Sequence, residues 1–291
     1  GESTFLLELP AGGTPVRAPE PAASPAHSEI PVGSRALVVE DERALGEAVA
    51  DALPRRPDVT YIGLVLNKRG ALRAIDAGMD ELGAVAVASN IFGQRNQGQS
   101  AEESIEIACQ IVALAKTAGR QAQITIATAF GCPFEGEIDP RHVVAMARRA
   151  AAAGPREIAL ADTIGVGAPG QVTELVRSVI EAIAPLPLRV HFHNTRNTGL
   201  ANVWAAVLAG ASTVDAAIGG FGGCPFAPKA TGNVPTEDVA YLLERSGYAT
   251  GLSIEQLIDA AAWLESRLGR TAPGMLGRAG NFPPANGSND R

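Results

Sequence analysis

Two hydrophobic periods follow one another along this chain from Val59 onward. Short apolar runs are typical of buried strands, and stretches with an apolar position every three or four residues are typical of helices that cover a sheet. Strands are predicted over Tyr61 to Leu66, Ala84 to Ser89, Gln123 to Ala129, Glu157 to Ala161, Leu188 to His193 and Thr213 to Ile218. Helices are predicted over Arg69 to Ala77, Ala101 to Ala118, Pro140 to Ala153, Pro169 to Ile183, Gly199 to Ala209 and Thr236 to Ser246. Six consecutive βα units indicate an α/β fold with a parallel sheet.

The pattern before residue 58 is less regular. A closed parallel barrel normally has eight strands, so two more must come from this region. Only Thr4 to Leu9 and Ala36 to Glu40 resemble strands, and the Pro, Gly, Ala and Ser of residues 10–34 predict a loop or a disordered segment. We therefore predict a TIM (β/α)8-type barrel whose first two βα units are incomplete or irregular.

This reading divides the chain into three parts. Residues 1–53 are an irregular N-terminal segment, residues 54–270 are the barrel domain, and residues 271–291 are a flexible tail. Within the barrel domain, Ser100 begins a capping box, and Ser253 to Leu268 is a plausible amphipathic closing helix.

Composition narrows the class of protein. The chain has 291 residues, 46% of them hydrophobic, which is enough for one large core. A formal charge of -7 without a basic run argues against nucleic acid or an anionic membrane surface as the main partner. No apolar stretch reaches the roughly 20 residues that span a bilayer, and the start lacks the order of a signal peptide, so we expect a soluble, cytosolic protein. Cys109, Cys132 and Cys224 suit reduced thiols.

The sharpest chemical motif is Val190-His191-Phe192-His193-Asn194-Thr195, at the end of a predicted strand. Histidines at i and i+2 on a strand point to the same face, so both imidazoles can reach one metal ion. The alternative is a pair of ordinary polar residues at a strand terminus. Active sites of barrels lie at the carboxyl ends of their strands, which favours the metal.

A glycine-rich segment follows the next predicted strand and contains Cys224. The glycines of Gly219-Gly220-Phe221-Gly222-Gly223 let the backbone move or approach a ligand closely. Cys224 in such a loop is a candidate proton donor, although a lone cysteine is also often a small buried hydrophobe. Asn233, further along, offers an amide oxygen of the kind that binds hard cations.

Two other strand ends carry polar groups. Asp162 and Thr163 place a carboxylate and a hydroxyl at the predicted mouth, in a turn without the glycine spacing of a dinucleotide site or a P-loop. This turn therefore favours contact with a polar substrate over nucleotide binding. Glu135, after another strand, is either a rim carboxylate or a solvated one.

Four of these segments, GCPFEG, ADTIGVG, VHFHNT and GGFGGCPFAPKATGN, resemble in order and spacing the 3-hydroxy-3-methylglutaryl-CoA lyase family of metallolyase barrels. The resemblance runs from about Thr60 to Gly251. It implies that His191, His193 and Asn233 bind a divalent cation, Mg²⁺ or Mn²⁺. It also implies that Cys224 is the thiol of a mobile loop.

The reaction that the resemblance implies is a retro-Claisen cleavage of 3-hydroxy-3-methylglutaryl-CoA, or of a longer 3-hydroxy-3-alkylglutaryl-CoA, to acetyl-CoA and a 3-keto acid. A metal would stabilise the charge that develops as the C–C bond breaks. Cys224 would protonate the enolate carbon as its loop closes. His191 has two competing roles, metal ligand and base for the hydroxyl proton, and we rank the ligand first because a bound imidazole is a poor base.

Further contacts follow from the same resemblance. Asp162 and Thr163 are expected as polar groups next to the substrate, and Asn96 and Ser100 as contacts on the acyl-CoA side, with ordinary loop polarity as the alternative for the last two. The expected partner is an acyl-CoA substrate, and we expect a homo-oligomer, a dimer or a tetramer.

The N-terminal region departs from the family. The family's first strand ends in an Arg-Asp-Gly motif that supplies a metal ligand, and no such motif lies upstream of Thr60. Asp41 is too near Thr60 in sequence to take that role. One hypothesis is that residues 1 to about 45 are not in the native reading frame. The alternative functions are a Claisen-condensing synthase of the same superfamily and an inactive acyl-CoA-binding barrel that lacks the first-strand Arg-Asp pair.

Overall fold

The computed structural model describes residues 4–10, 34–39, 55–223 and 232–282, the first two ranges as backbone only. Within these ranges eight strands form a closed barrel in chain order. Their bounds are β1 Thr4–Pro10, β2 Ser34–Val39, β3 Val59–Val65, β4 Glu81–Val87, β5 Gln121–Ala127, β6 Ile158–Asp162, β7 Leu188–Phe192 and β8 Thr213–Ala217. The predicted TIM-type α/β fold is therefore confirmed.

The irregularity predicted for the start of the barrel lies in β1. Strands β2 to β8 pair in parallel, whereas β1 runs antiparallel to both of its neighbours. Leu7 of β1 is in register with Ala36 of β2 and with Ala216 of β8. Backbone N–H and C=O groups can form a ladder with a strand of either direction, so a reversed strand still closes the barrel.

Helices cover the barrel between successive strands. Those in the described ranges are α1 Lys68–Asp76, α2 Asn90–Gln97, α3 Ala101–Thr117, α4 Pro140–Ala152, α5 Pro169–Ile183, α6 Gly199–Ala209, α7 Thr236–Arg245, α8 Ile254–Leu268 and α9 Leu276–Ala279. A short 3₁₀ turn spans Ile218–Gly220. None of these helices has the length and apolar character to cross a bilayer.

Local chemistry sets several helix ends. Ser100 caps α3 in a complete capping box with Glu103, as the sequence predicts. Asp139 caps α4, whose first residue is Pro140, where a missing N–H costs nothing. Helix α2 was not predicted, because its sequence has no apolar stripe; it begins at the cap Ser89 and ends at a left-handed glycine.

The hydrophobic core lies between the barrel and its helices. On β7, Leu188, Val190 and Phe192 are buried in this core, and Val214 of β8 joins them. Successive side chains on a strand point to opposite faces, so Arg189 and His191 face the inside of the barrel. The face of β7 that points into the barrel is therefore polar, whereas the face that points to the helices is entirely apolar.

The described part of the expected flexible tail contacts the barrel domain. Ala272 and Leu276 are buried, and the backbone N–H groups of Met275 and Leu276 donate to the carboxylate of Asp238 at the start of α7. A Gly- and Pro-containing segment has no hydrophobic period, so order supplied by a distant carboxylate leaves no signal in the local sequence.

Candidate active site

The two histidines of the His-x-His motif lie side by side at the carboxyl end of β7. His191 is in the strand and His193 follows it directly. Their ring centroids are 5.2 Å apart and the rings are inclined by 59°. The prediction that spacing i, i+2 places both imidazoles on one face is confirmed.

His193 is held as a neutral imidazole. It is 5% exposed, and burial, with the neighbouring His191, lowers its pKa to about 3. Its Nδ1 atom is buried and has no hydrogen-bond partner. A neutral imidazole keeps a lone pair, which is the form that binds metals.

Asn233 lies beside His193 through a backbone bridge that connects the two residues in antiparallel fashion. Its side-chain Nδ2 donates to the carbonyl oxygens of Phe221 at 3.0 Å and Gly222 at 3.3 Å. These bonds fix the orientation of the amide, and its Oδ1 is left buried without a partner. The carbonyl oxygen is thus free for a cation.

These residues fit a divalent cation. Unsatisfied acceptors in a buried place cost roughly 1–3 kcal/mol each, and an ion bound by them would remove that cost. Within the described ranges, no cluster of three His, Cys, Asp or Glu side chains could hold a metal. The candidate site therefore depends on the two imidazoles and the amide of Asn233.

Asp162 and Thr163 occupy the end of β6, and both bond to backbone. The carboxylate of Asp162 accepts the N–H groups of Val166 and Gly167, each at 2.9 Å. Burial raises its pKa, and those two hydrogen bonds and the charge of His191 oppose the rise. The Thr163 hydroxyl accepts the N–H of Thr128 at 2.9 Å. These side chains shape the β6 turn, and their substrate contacts stay a prediction.

The turns after β4 and β5 are joined at the barrel mouth. The Ser89 hydroxyl donates to the carboxylate of Glu135, and lies 2.9 Å from the Sγ atom of Cys132. Glu135 is therefore a rim carboxylate with a partner. The two residues predicted on the acyl-CoA side lie in this region: Asn96 is half-buried in α2, and Ser100 bonds to Glu103.

Cys224 lies outside the described residues, so its predicted position is not tested. The described ends of its segment are close together: Asn233 N donates to Gly222 O at 3.2 Å. A Cβ atom on Gly232 would come within 2.4 Å of the Gly220 carbonyl oxygen, so only glycine fits there. At the base of the segment, the N–H of Gly219 donates to the buried carboxylate of Glu237.

Sequence reasoning missed a charged group below the histidines. Arg189 bonds to Glu157 at 2.6 Å and to Asp215 at 3.3 Å, and all three side chains are buried. We call these three residues the floor cluster. A signal was present, because Arg189 shares the strand parity of His191 and interrupts an otherwise apolar run.

Comparison with known proteins places the chain in a family. The family model described as HMGL-like matches residues 28–264. The chain belongs to the HMGL-like family. It is 40% identical to the (R)-citramalyl-CoA lyase of Chloroflexus aurantiacus, over 77% of this chain and 71% of that protein. It is 37% identical to the 3-hydroxy-3-isohexenylglutaryl-CoA/hydroxy-methylglutaryl-CoA lyase of Pseudomonas aeruginosa, over 77% of each.

Solved structures agree with this membership. The structure of an HMG-CoA lyase from Acinetobacter baumannii, in complex with coenzyme A and 3-methylmalate, superposes with a TM-score of 0.78 at 40% identity. The match covers 82% of this chain and 79% of that one. The predicted family and the predicted class, a carbon–carbon lyase, are confirmed. The HMGL-like family is generally dependent on divalent metal.

Proposed function

We propose that the protein is a divalent-metal-dependent lyase that cleaves 3-hydroxy-3-methylglutaryl-CoA, or a longer 3-hydroxy-3-alkylglutaryl-CoA, to acetyl-CoA and a 3-keto acid. One observation carries the proposal: His193 and Asn233 each keep a buried acceptor atom without a partner, beside His191, at the barrel mouth of an HMGL-like chain. Barrel enzymes place their chemistry at this end of the strands.

His191, His193 and Asn233 would hold the ion, Mg²⁺ or Mn²⁺. Imidazole ligands suit Mn²⁺ better than Mg²⁺, which prefers oxygen. When bound, the ion supplies Lewis-acid stabilisation to negative charge on substrate oxygens. The depressed pKa of His193 keeps its ring neutral at pH 7, so no proton competes for the lone pair.

The residues of this chain would carry out the proton transfers that accompany bond cleavage. The substrate hydroxyl loses its proton to a base at the mouth, and its oxygen forms the carbonyl of the keto acid as the C–C bond breaks. The electron pair of that C–C bond passes into the thioester as an enolate. Cys224 donates its proton to the enolate carbon, which completes acetyl-CoA. Asp162 holds the β6 turn through its bonds to Val166 and Gly167 and would, with Thr163, contact the substrate.

The length of the acyl group that the protein accepts has two candidates. The relative at 40% identity is named for (R)-citramalyl-CoA, which carries one methylene fewer than 3-hydroxy-3-methylglutaryl-CoA. A pocket usually discriminates a single methylene by only about 1–3 kcal/mol. Citramalyl-CoA is therefore the second candidate substrate for the same bond cleavage.

The test is incubation of the purified chain, loaded with Mn²⁺, with each of the two thioesters, while acetyl-CoA release is measured. We expect release with at least one of them, and its loss when a chelator removes the metal or His193 is replaced by alanine. The reverse arm, with acetyl-CoA and each keto acid, detects a condensing synthase. A folded, Mn²⁺-binding protein that cleaves neither thioester would contradict the proposal and favour an inactive barrel.

A further inference from the structure

The floor cluster reaches the metal-binding face through one residue. Asp215 accepts Arg189 Nη1 at its Oδ1 atom, 3.3 Å away, and its Oδ2 atom lies 3.5 Å from His191 Nδ1. We infer that Asp215 is a positioning residue for His191, which it holds with Nδ1 toward the floor and Nε2 toward the mouth. The inference deepens the proposed function and rests on the proposed metal site.

The backbone brings these two side chains together. In the parallel ladder of β7 and β8, His191 and Asp215 are register partners, and both face the barrel interior. Asp215 is 6% exposed and His191 is 16% exposed. Little water therefore separates the carboxylate from the imidazole, and their attraction is stronger than on the protein surface.

The floor holds the Asp215 carboxylate in place. Arg189 is 1% exposed and is itself fixed by Glu157, to which it bonds through both Nε and Nη2. A guanidinium bound from two sides cannot rotate away, so the Oδ1 atom of Asp215 has a fixed partner. Its Oδ2 atom faces His191 Nδ1 at 3.5 Å.

A carboxylate next to Nδ1 favours the tautomer in which that nitrogen carries the hydrogen. The Nε2 lone pair is then available for a cation, and the ring cannot flip without losing the contact. His193 is held differently, since its Nδ1 has no partner. The two candidate ligands therefore differ at Nδ1: His191 faces the carboxylate of Asp215 there, whereas His193 does not.

The wild-type protein provides the first test, without metal. Long-range ¹H–¹⁵N spectra distinguish the two imidazole tautomers, and the chain has 4 histidines, so substitution of the other three assigns His191. In alkaline buffer we expect His191 with its hydrogen on Nδ1. A ring with its hydrogen on Nε2 would overturn the inference whether or not the protein binds metal.

The second test compares two variants that each lose a buried carboxylate paired with arginine. Asp215→Ala removes the contact with His191, whereas Glu81→Ala removes a fully buried partner of Arg156 elsewhere in the barrel. Loss of such a supporting group typically weakens metal binding by about 10–100-fold. We expect this weakening of Mn²⁺ affinity in Asp215→Ala only, with partial recovery in Asp215→Asn, which keeps an acceptor oxygen.

The results separate the inference from the proposed function. Asp215→Ala with wild-type Mn²⁺ affinity, or an equal loss in Glu81→Ala, would show that Asp215 has only a structural role. If the wild-type protein binds no Mn²⁺, the proposed function fails, and the tautomer of His191 still decides whether Asp215 positions the ring.

Discussion

The floor and the mouth of the barrel differ in whether their buried polar side chains have hydrogen-bond partners. In the floor cluster, Arg189 bonds to both Glu157 and Asp215. At the mouth, His193 and Asn233 each bury a polar side-chain atom without a partner. The side chains of both regions are buried, so the difference does not come from their exposure. Buried polar atoms are normally satisfied, so the unsatisfied atoms of His193 and Asn233, which share a backbone bridge, are where we expect a ligand to bind.

The largest expected effect comes from the removal of an unsatisfied side chain at the mouth. His193→Ala should abolish detectable Mn²⁺ binding, an expected loss of at least roughly 1,000-fold, or about 4 kcal/mol. His142→Ala is the matched control, because His142 is exposed on α4. Calorimetric titration measures both, and equal affinities in the two variants would remove His193 from the site.

Removal of the paired cation in the floor cluster should lower the stability of the fold. Arg189→Met removes the cation that the buried Glu157 and Asp215 share, and such a loss costs about 3–5 kcal/mol of the free energy of unfolding. Arg141→Met breaks an exposed pair with Asp139 and should cost less than about 1 kcal/mol. Urea denaturation tests the difference, and similar midpoints for the two variants would argue against a structural floor.

Glu237 also buries an oxygen without a partner, but as a carboxyl group it can lower the cost of burial by taking up a proton. Its Oε2 accepts the N–H of Gly219, its Oε1 has no partner, and burial first, with Asp238 and Glu265 adding to it, raises its pKa from 4.5 to about 7. Protonation stabilises the folded state below pH 4.5, and this stabilisation is lost as pH rises through about 7.

Glu237→Gln should therefore gain on the wild type as pH rises. Between pH 5 and pH 8 the difference between their free energies of unfolding should change by up to roughly 3 kcal/mol in favour of the variant. Denaturation curves of both proteins at both pH values give this number. A difference independent of pH would mean that the carboxylate is already ionised at pH 5.

The smallest expected effect is that of replacing Ser100, whose hydroxyl has hydrogen-bond partners in Glu103. Ser100→Ala removes the cap of α3 and should cost about 1 kcal/mol of stability. The KM of the same variant for the acyl-CoA tests the contact that the family resemblance implies. A rise of more than threefold supports that contact, and an unchanged KM leaves Ser100 as a helix cap alone.

Local patterns in the sequence predicted most of the barrel. Helices α5 and α6 have the predicted bounds, and β7 ends within one residue of its prediction. The direction of β1 could not be predicted, because the alternation of side chains along a strand is the same in either direction. Helix α2 was missed because its order comes from capping and not from an apolar stripe.

The candidate site was predictable to the extent that it depends on spacing within one strand. The parity of His191 and His193 placed both rings on one face. The pairing of Arg189 with Asp215 depends on the register between β7 and β8, and a single strand contains no such information. For the same reason, the sequence could not predict the orientation of the Asn233 amide, because that orientation depends on the carbonyl groups of Phe221 and Gly222.

Pulsed EPR of bound Mn²⁺ tests the metal site most directly. In protein labelled with ¹⁵N in its histidines alone, the Mn²⁺ spectrum should show coupling to two imidazole nitrogens, and His193→Ala should not retain this pair. Wild-type protein with bound Mn²⁺ but without coupling to any histidine nitrogen would show that the unsatisfied atoms at the mouth do not hold the ion.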